Sequence, residues 1–326
     1  MLLVKDDTLT TATLDADEHA WLDRIARDLL DVAGGRVDSP EWVAAARRAW
    51  EDAPASLRHT LKEFRRDSGT GGALLLRNLP VDEENLPETP KAEGSVVREA
   101  TVSAAVLVLV AHGLGDPGAF RAEKSGALVQ NVVPVPGKEE VQGNVGSVHL
   151  TFHTENAFHQ HRPDFVLLVC VRPDHERVAE LRLVCSRQVL PKLGEQARAA
   201  LSSAEFVTAP PPSFGTTSGE VPPRAVLHGD PDDPDLCVDQ AATKPVTERA
   251  VAAMAELGEL FDNSFNGLRL AAGDLAIVDN RVTVHGRSAF TPRYDGADRW
   301  LQRTFVFADL RRSRGHRPGD GYVLES

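Results

Sequence analysis

Cysteine is scarce in this sequence of 326 residues, which contains only Cys170, Cys185 and Cys237. Three scattered thiols build neither a disulfide framework nor a thiolate zinc site, so a reducing compartment, the cytoplasm, is expected. Basic charge is also short: Lys and Arg total 36 against 48 Asp and Glu, for a net charge of −12. No basic stripe is present, so a nucleic-acid partner is not expected. Long hydrophobic runs are missing too. The longest, residues 104–111, falls far short of the roughly 20 residues of a membrane span. Residues 1–7 lack a basic region followed by a long apolar one, so no signal peptide is expected. Gly-x-Ser-x-Gly, a phosphate loop and a dinucleotide fingerprint are all absent, and no internal repeat is found. What the chain does have is apolar content, 42 %, ample for a packed core.

The order of patterns is mixed. Ala20, Leu22, Ile25, Ala26, Leu29 and Leu30 recur at helical spacing up to Gly34-Gly35. Ser39-Pro40-Glu41-Trp42 reads as a cap with proline in the first turn of a helix running to Trp50. Residues 56–64 give a third helix, so 16–67 read as a helical layer. Residues 71–80 read as a buried strand, 81–95 as a loop, 95–112 as a helix and 128–137 as a strand. Residues 165–171 and 180–184 read as strands, and 188–201 and 247–260 as helices. Pro, Gly, Ser and Asp crowd residues 208–234, within an expected lid loop over 208–240.

The polar centre is His153-Thr154-Glu155. On a strand, residues two apart project from one face, so the imidazole and carboxylate would point together. That pair would supply two of the three protein ligands of a facial 2-His-1-carboxylate Fe(II) site. The glycines of 142–147 just before it would let backbone approach a ligand closely. Further on, residues 275–278 form a short apolar run closed by Asp279-Asn280, and His285 ends a short strand over 282–284. A strand over 300–307 follows, with Arg299 and Arg303 at its start. Two histidines and a carboxylate suit iron, and Arg299 suits the carboxylate of a dicarboxylate cosubstrate, because a guanidinium pairs bidentately and stays charged.

Residues 285–303 read His-Gly-Arg-Ser-x-Phe-x-Pro-Arg-Tyr-Asp-Gly-x-Asp-Arg-Trp-Leu-Gln-Arg. With His153-Thr154-Glu155, this run resembles the clavaminate synthase-like branch of Fe(II)/2-oxoglutarate oxygenases, which includes free arginine and asparagine β-hydroxylases. The match covers residues 129–310. The resemblance implies a mainly β fold with flanking helices around a double-stranded β-helix (jelly-roll) core, which the spacing of short strands and helices also fits. Ligands split between His153 and His285 must converge, so 1–326 reads as one domain. The resemblance also implies Fe(II) on His153, Glu155 and His285, with 2-oxoglutarate and then dioxygen taking the open positions. Arg299 would hold the distal carboxylate of 2-oxoglutarate. Family members often add a hydroxyl residue from the strand after the metal pair. Residues 179–184, Ala-Glu-Leu-Arg-Leu-Val, have none, so the second anchor of the cosubstrate is unassigned.

The substrate residues follow from the same resemblance. Arg303, two pleats beyond Arg299, matches the partner of a substrate α-carboxylate. Gln130 and Glu155 are expected at the α-ammonium group, Asn144 matches a substrate-contacting position, and Asp239 falls where an acid meets the substrate side chain. Arginine hydroxylases carry Asp-x-Asp there; this chain has Cys237-Val238-Asp239, so lysine, citrulline, asparagine and arginine all stay open. Glu155 stands where related halogenases have a small residue that admits chloride, which favours hydroxylation. The expected reaction is hydroxylation of an unactivated C–H near Cβ of a free L-amino acid with a polar or cationic side chain, in peptide natural product metabolism. Two alternatives stay open. A cupin-like metal protein, hydrolytic or merely binding, would have no use for Arg299. An oxygenase acting on a carrier-protein-tethered aminoacyl group would have less use for Arg303. His149 alternates onto the face of Thr151 and His153, but the iron ligation that the resemblance implies does not need it; His159 and His161 are expected in solvent, and Cys170 and Cys185 in the core.

Overall fold

A computed structural model describes residues 1–5, 9–215 and 221–325; residues 216–220 of the expected lid lie outside the described residues. The N-terminal part runs through strands β1 (Leu2–Lys5) and β2 (Thr10–Thr13) into helices α1 (Ala16–Asp28), α2 (Pro40–Trp50) and α3 (Ala55–Arg66). Asp15 and Glu18 form a capping box at the start of α1. The Ser39 hydroxyl accepts from the Trp42 N–H at 3.1 Å, with Pro40 in the first turn of α2, as expected.

Strands β3 (Ala73–Arg77), β4 (Val96–Val97), β5 (Asp116–Phe120) and β6 (Val129–Val132) follow, with helix α4 (Val102–His112) between β4 and β5. The helix expected over 95–112 therefore starts late. Val96 and Val97 pair with Gln130 and Val129, and Thr101 caps α4 by accepting from the Ala104 N–H. Next come β7 (Leu150–His153), β8 (Phe165–Arg172), β9 (Leu181–Cys185), α5 (Ser186–Val189) and α6 (Glu195–Leu201). Pro191 and Gly194 split what reads as one helix over 188–201. Short pairs β10 (Phe206–Thr208) with β13 (Thr243–Pro245), and β11 (Leu227–His228) with β12 (Asp235–Leu236), lie in and around the lid. Helix α7 (Glu248–Ser264) and strands β14 (Asn266–Leu268), β15 (Leu275–Asp279), β16 (Thr283–Arg287), β17 (Trp300–Phe307) and β18 (Val323–Leu324) complete the chain.

Two sheets face one another without closing into a barrel. The larger is ordered β1-β2-β3-β15-β8-β17-β5-β18, with β6 also on β17; the smaller is β14-β9-β16-β7, all antiparallel. Val166, Leu168 and Cys170 of β8, Ala276 and Val278 of β15, and Leu301 and Phe305 of β17 point inward onto Leu181 and Leu183 of β9. Their alternates Phe165, Leu167, Val169, Leu275, Ile277 and Val306 pack outward against α1–α4. A sheet covered on both faces explains why β8 and β15 read as unbroken apolar runs. Val184, Val284 and Phe152 on the outer face of the small sheet meet Leu257 and Phe261 of α7. The result is the jelly-roll core with flanking helices expected from the sequence. Among the described residues, no helix is long and apolar enough to cross a membrane.

Candidate active site

Strands β7 and β16 are antiparallel neighbours in which His153 is directly opposite His285, with ring centroids 4.4 Å apart. Gly286 permits this close pairing, since a Cβ there would lie 2.6 Å from the Leu150 carbonyl oxygen. His285 lies in the middle of β16, not at a strand end as expected. Strand alternation does not place Glu155 either. β7 ends at His153, and Glu155 sits in the following turn. There Asn280, fully buried, accepts from the Glu155 N–H at 2.8 Å and donates to the carbonyls of Glu155 (3.1 Å) and Pro163 (2.9 Å). The turn brings Glu155 Oε2 to 3.5 Å from His285 Nε2. One donor atom from each of His153, Glu155 and His285 lies within 4.8 Å of the others.

The protonation states suit a metal. Burial, then the neighbouring His153, push His285 down to about 4, so its imidazole is neutral near pH 7. Burial opposes ionisation of Glu155, but Arg303 and His285 outweigh it and hold the carboxyl below the usual carboxylate range. His153 Nδ1 lies 3.0 Å from the Thr151 carbonyl oxygen; a proton there leaves Nε2 as a free lone pair. Two imidazoles and one ionised carboxylate, with no thiolate, fit Fe(II).

Residues 299, 301, 303 and 305 alternate toward the interior from the start of β17, as the strand period requires. Arg303 is 3 % exposed and donates from Nη1 to both Glu155 oxygens at 3.0 Å. Its Nη2 donates to Glu123 and to Gln130 Oε1. Gln130 is its partner in the β6–β17 register. With its amide turned to satisfy both groups, Asn144 accepts from the same two nitrogens at 3.2 and 3.1 Å. The structure thus gathers Gln130, Asn144, Glu155 and Arg303, and adds Glu123. Burial raises Glu123's carboxyl, with Arg303 acting against the rise. Sequence reading missed Glu123 because it is one acid in a turn after β5, and only the fold sets it against Arg303.

Arg299 is 6 % exposed and pairs with neither Asp295 nor Asp298; its guanidinium lies 5.6 Å from the Phe290 ring centroid. The loop before it is fixed instead by backbone contacts. The Arg293 N–H donates to Asp298 Oδ1 at 2.7 Å, the Ala297 N–H to Asp295 Oδ1 at 2.9 Å, and Thr89 Oγ1 to the Asp298 carbonyl at 2.7 Å. Beside Arg299 lies Arg287, which burial and then Arg299 push down to about 9. A small cavity of about 40 Å³ runs from these two arginines past Leu181 to His153 and His285. Leu181 is one of its apolar walls.

Outward from His153 and Glu155 opens a cleft of about 440 Å³, bounded by Glu123, Asn144, Asp239 and the lid residue Phe214. Asp239 bridges to His153 through the backbone. Its Oδ1 accepts from the N–H groups of Ala241 (2.8 Å) and Ala242 (3.0 Å), and Oδ2 has no partner among the described residues. Cys237 donates to the Ala157 carbonyl at 3.2 Å and lines a separate pocket. Phe214 rests on Phe158 with ring centroids 4.7 Å apart. Gly146 serves the loop, not a ligand: a Cβ there would lie 1.9 Å from the Val141 carbonyl oxygen. His149 is exposed and contacts Arg182, not the ligand residues. His159, expected in solvent, is buried against the rings of Phe120 and Phe158. Cys170 and Cys185 are buried packing groups, and burial pushes the Cys170 thiol up to about 12.

Residues 38–305 match the model of the family described as taurine catabolism dioxygenase TauD, TfdA family. The chain is 61 % identical to the L-asparagine oxygenase of Streptomyces coelicolor over 312 residues, covering 96 % of this chain and 94 % of that protein. It is 35 % identical to clavaminate synthase 2 of Streptomyces clavuligerus over 275 residues, covering 82 % and 84 %. A crystal structure of asparagine oxygenase with Fe(II), (2S,3S)-3-hydroxyasparagine and succinate superposes with a TM-score of 0.94 at 60 % identity, covering 97 % of this chain and 99 % of that one.

Proposed function

The chain belongs to the TauD/TfdA family of dioxygenases, and from that premise we propose that it hydroxylates free L-asparagine at Cβ. It is an Fe(II)- and 2-oxoglutarate-dependent oxygenase of free amino acids, with dioxygen as the second cosubstrate. His153, Glu155 and His285 would hold Fe(II), which would supply the oxidising chemistry by which one oxygen atom of dioxygen enters the substrate C–H bond and the other enters succinate as 2-oxoglutarate loses carbon dioxide. Arg299 holds the distal carboxylate of 2-oxoglutarate from the closed end of the small cavity.

The remaining residues bind and orient the amino acid. Arg303, fixed by Gln130 and Asn144, presents its guanidinium to the α-carboxylate. Glu123, beside Glu155 and Gln130, offers a buried carboxyl oxygen that an α-ammonium group can donate to. Holding both ends of a short substrate fixes one C–H relative to the metal.

The observation that carries asparagine is Asp239. It offers one free carboxylate oxygen to the cleft, while Cys237, where an acid pair would place its other member, turns into a different pocket. One acceptor suits the N–H₂ of a carboxamide; a guanidinium has five donors to satisfy. The likeness to asparagine oxygenase points the same way.

The substrate is a small molecule. On this reading it is free: a tethered aminoacyl thioester has no carboxylate for Arg303, which disfavours a carrier-protein partner, and the net charge of −12 disfavours a nucleic-acid one. A cupin-like protein without oxygen chemistry would leave Arg299 buried to no purpose. Residues 1–326 act as one domain, because the smaller sheet carries the two histidines, Arg303 of the larger sheet meets Glu155, and the helical layer covers the larger sheet; the enzyme works in the cytoplasm, where its three thiols stay reduced. A panel of free and carrier-tethered amino acids, with Fe(II) and 2-oxoglutarate, tests the proposal through succinate release and product mass. L-Asparagine is expected to give 3-hydroxyasparagine in step with succinate. Better turnover of lysine, citrulline or arginine would overturn the assignment.

A further inference from the structure

Among the described residues, two neighbouring buried guanidinium groups, those of Arg287 and Arg299, make no ion pair, and Asp174 acts on Arg299 only from beyond contact distance. Arg287, 4 % exposed, gives one hydrogen bond, from Nη2 to the Val148 carbonyl at 2.9 Å, and its Nε is buried without a partner. Arg303, by contrast, is compensated by Glu155 and Glu123. Both unpaired groups lie beside the ring of Phe290, at 5.2 Å for Arg287 and 5.6 Å for Arg299. Both line the small cavity next to His153 and His285, whose walls there include Leu168, Leu181 and Leu301. Like charges side by side against apolar walls are unfavourable unless an anion joins them.

We propose that Arg287 is a second binding residue for the distal carboxylate of 2-oxoglutarate, shared with Arg299, and that the pair selects a dicarboxylate over a 2-oxo monocarboxylate. The proposal rests on the reading of this cavity as the cosubstrate site. Among the described residues no serine or threonine lines the cavity, so a carboxylate beside Arg287 and Arg299 draws its donors from the two arginines. Strand alternation puts Arg287 on the same face of β16 as His285, so one strand fixes a metal ligand and a carboxylate partner together. Val148 and Phe290 hold the Arg287 side chain in place before any ligand arrives, which limits the ordering needed on binding.

The test is calorimetric titration of the anaerobic Fe(II)-loaded full chain with 2-oxoglutarate and with 2-oxopentanoate, which has a methyl group in place of the distal carboxylate. Arg287→Gln is expected to raise the Kd of 2-oxoglutarate about tenfold or more and to leave that of 2-oxopentanoate little changed. An unchanged 2-oxoglutarate Kd in Arg287→Gln, alongside a loss in Arg299→Gln, overturns the proposal and leaves the cosubstrate cavity standing. No loss in either variant overturns the cavity reading as well. Equal weakening of both ligands overturns the proposal too, because it marks Arg287 as structural. If Arg287→Gln does not fold, Arg287→Lys decides, since it keeps the charge and drops the forked donors. A loss confined to 2-oxoglutarate supports the proposal; no loss, or a loss shared by 2-oxopentanoate, overturns it.

Discussion

Asn280 grips the peptide of Glu155 from both sides, accepting from its N–H at 2.8 Å and donating to its carbonyl at 3.1 Å. The expected carboxylate ligand is therefore aimed by a residue 125 positions away, not by its own strand. Asn280→Ala should keep the three ligand side chains and loosen the third. Supporting contacts of this kind are worth about 10–100-fold in metal affinity. Competition with a chelator, read by the iron retained, checks this; wild-type retention would show that the turn holds itself.

His153→Ala and His285→Ala should each abolish Fe(II)-dependent turnover and leave the fold intact, because the two imidazoles face each other across paired strands and not into the apolar core. Iron content, circular dichroism and product formation are the measurements. Near-wild-type oxidation at equal iron occupancy would remove that residue from the ligand set.

Arg299→Ala should weaken 2-oxoglutarate by at least about tenfold, since a charge-assisted hydrogen-bonded contact is worth roughly 1.5–3 kcal/mol. Asparagine affinity should change far less. Unchanged 2-oxoglutarate affinity, measured by equilibrium titration, would move the anchor to another arginine.

What the sequence reveals here divides along physical lines. The layers were legible because burial on both faces of β8 and β15 leaves unbroken apolar runs, and because Ser39-Pro40 is a local capping signal. His153, His285, Arg299 and Arg303 were legible because they sit in short runs dense with unusual polar residues. Glu123 and Asn280 were not. Each acts through a contact between distant elements, Glu123 with Arg303 and Asn280 with Glu155, and carries no local pattern. Arg287 lay within the recognised run without an assigned role, since only the cavity shows that its charge is uncompensated. His159 misled for the opposite reason: a polar neighbourhood in sequence became an aromatic one once Phe120 folded against it.

His112, at the end of α4, is pushed down to about 4 by burial and then by Arg47. Its folded value lies below the unfolded value of about 6.5, so the unfolded chain takes up the proton first as pH falls. Stability should therefore be level above about pH 6.5 and decline between there and about pH 4, by up to roughly 2–3 kcal/mol from this residue. Urea denaturation across this range, compared with His112→Gln, isolates the contribution. An acid limb equally steep in the variant would assign the decline to other groups.

Asp239 is the residue on which the choice of substrate turns. Its Oδ1 is tied to the N–H groups of Ala241 and Ala242, so the side chain is fixed and only Oδ2 is offered to the cleft. An acceptor held this way can report the far end of a short amino acid without rearranging. Asp239→Ala removes the acceptor and also frees the turn that carries it. The expected result is a higher KM for L-asparagine, or succinate formed in excess of hydroxyasparagine, because a substrate misplaced by about 1 Å can react about a hundredfold more slowly. The Kd of 2-oxoglutarate should be little changed, since Arg299 lies at the closed end of a separate cavity. A full match of succinate to product with an unchanged KM would take Asp239 out of substrate recognition.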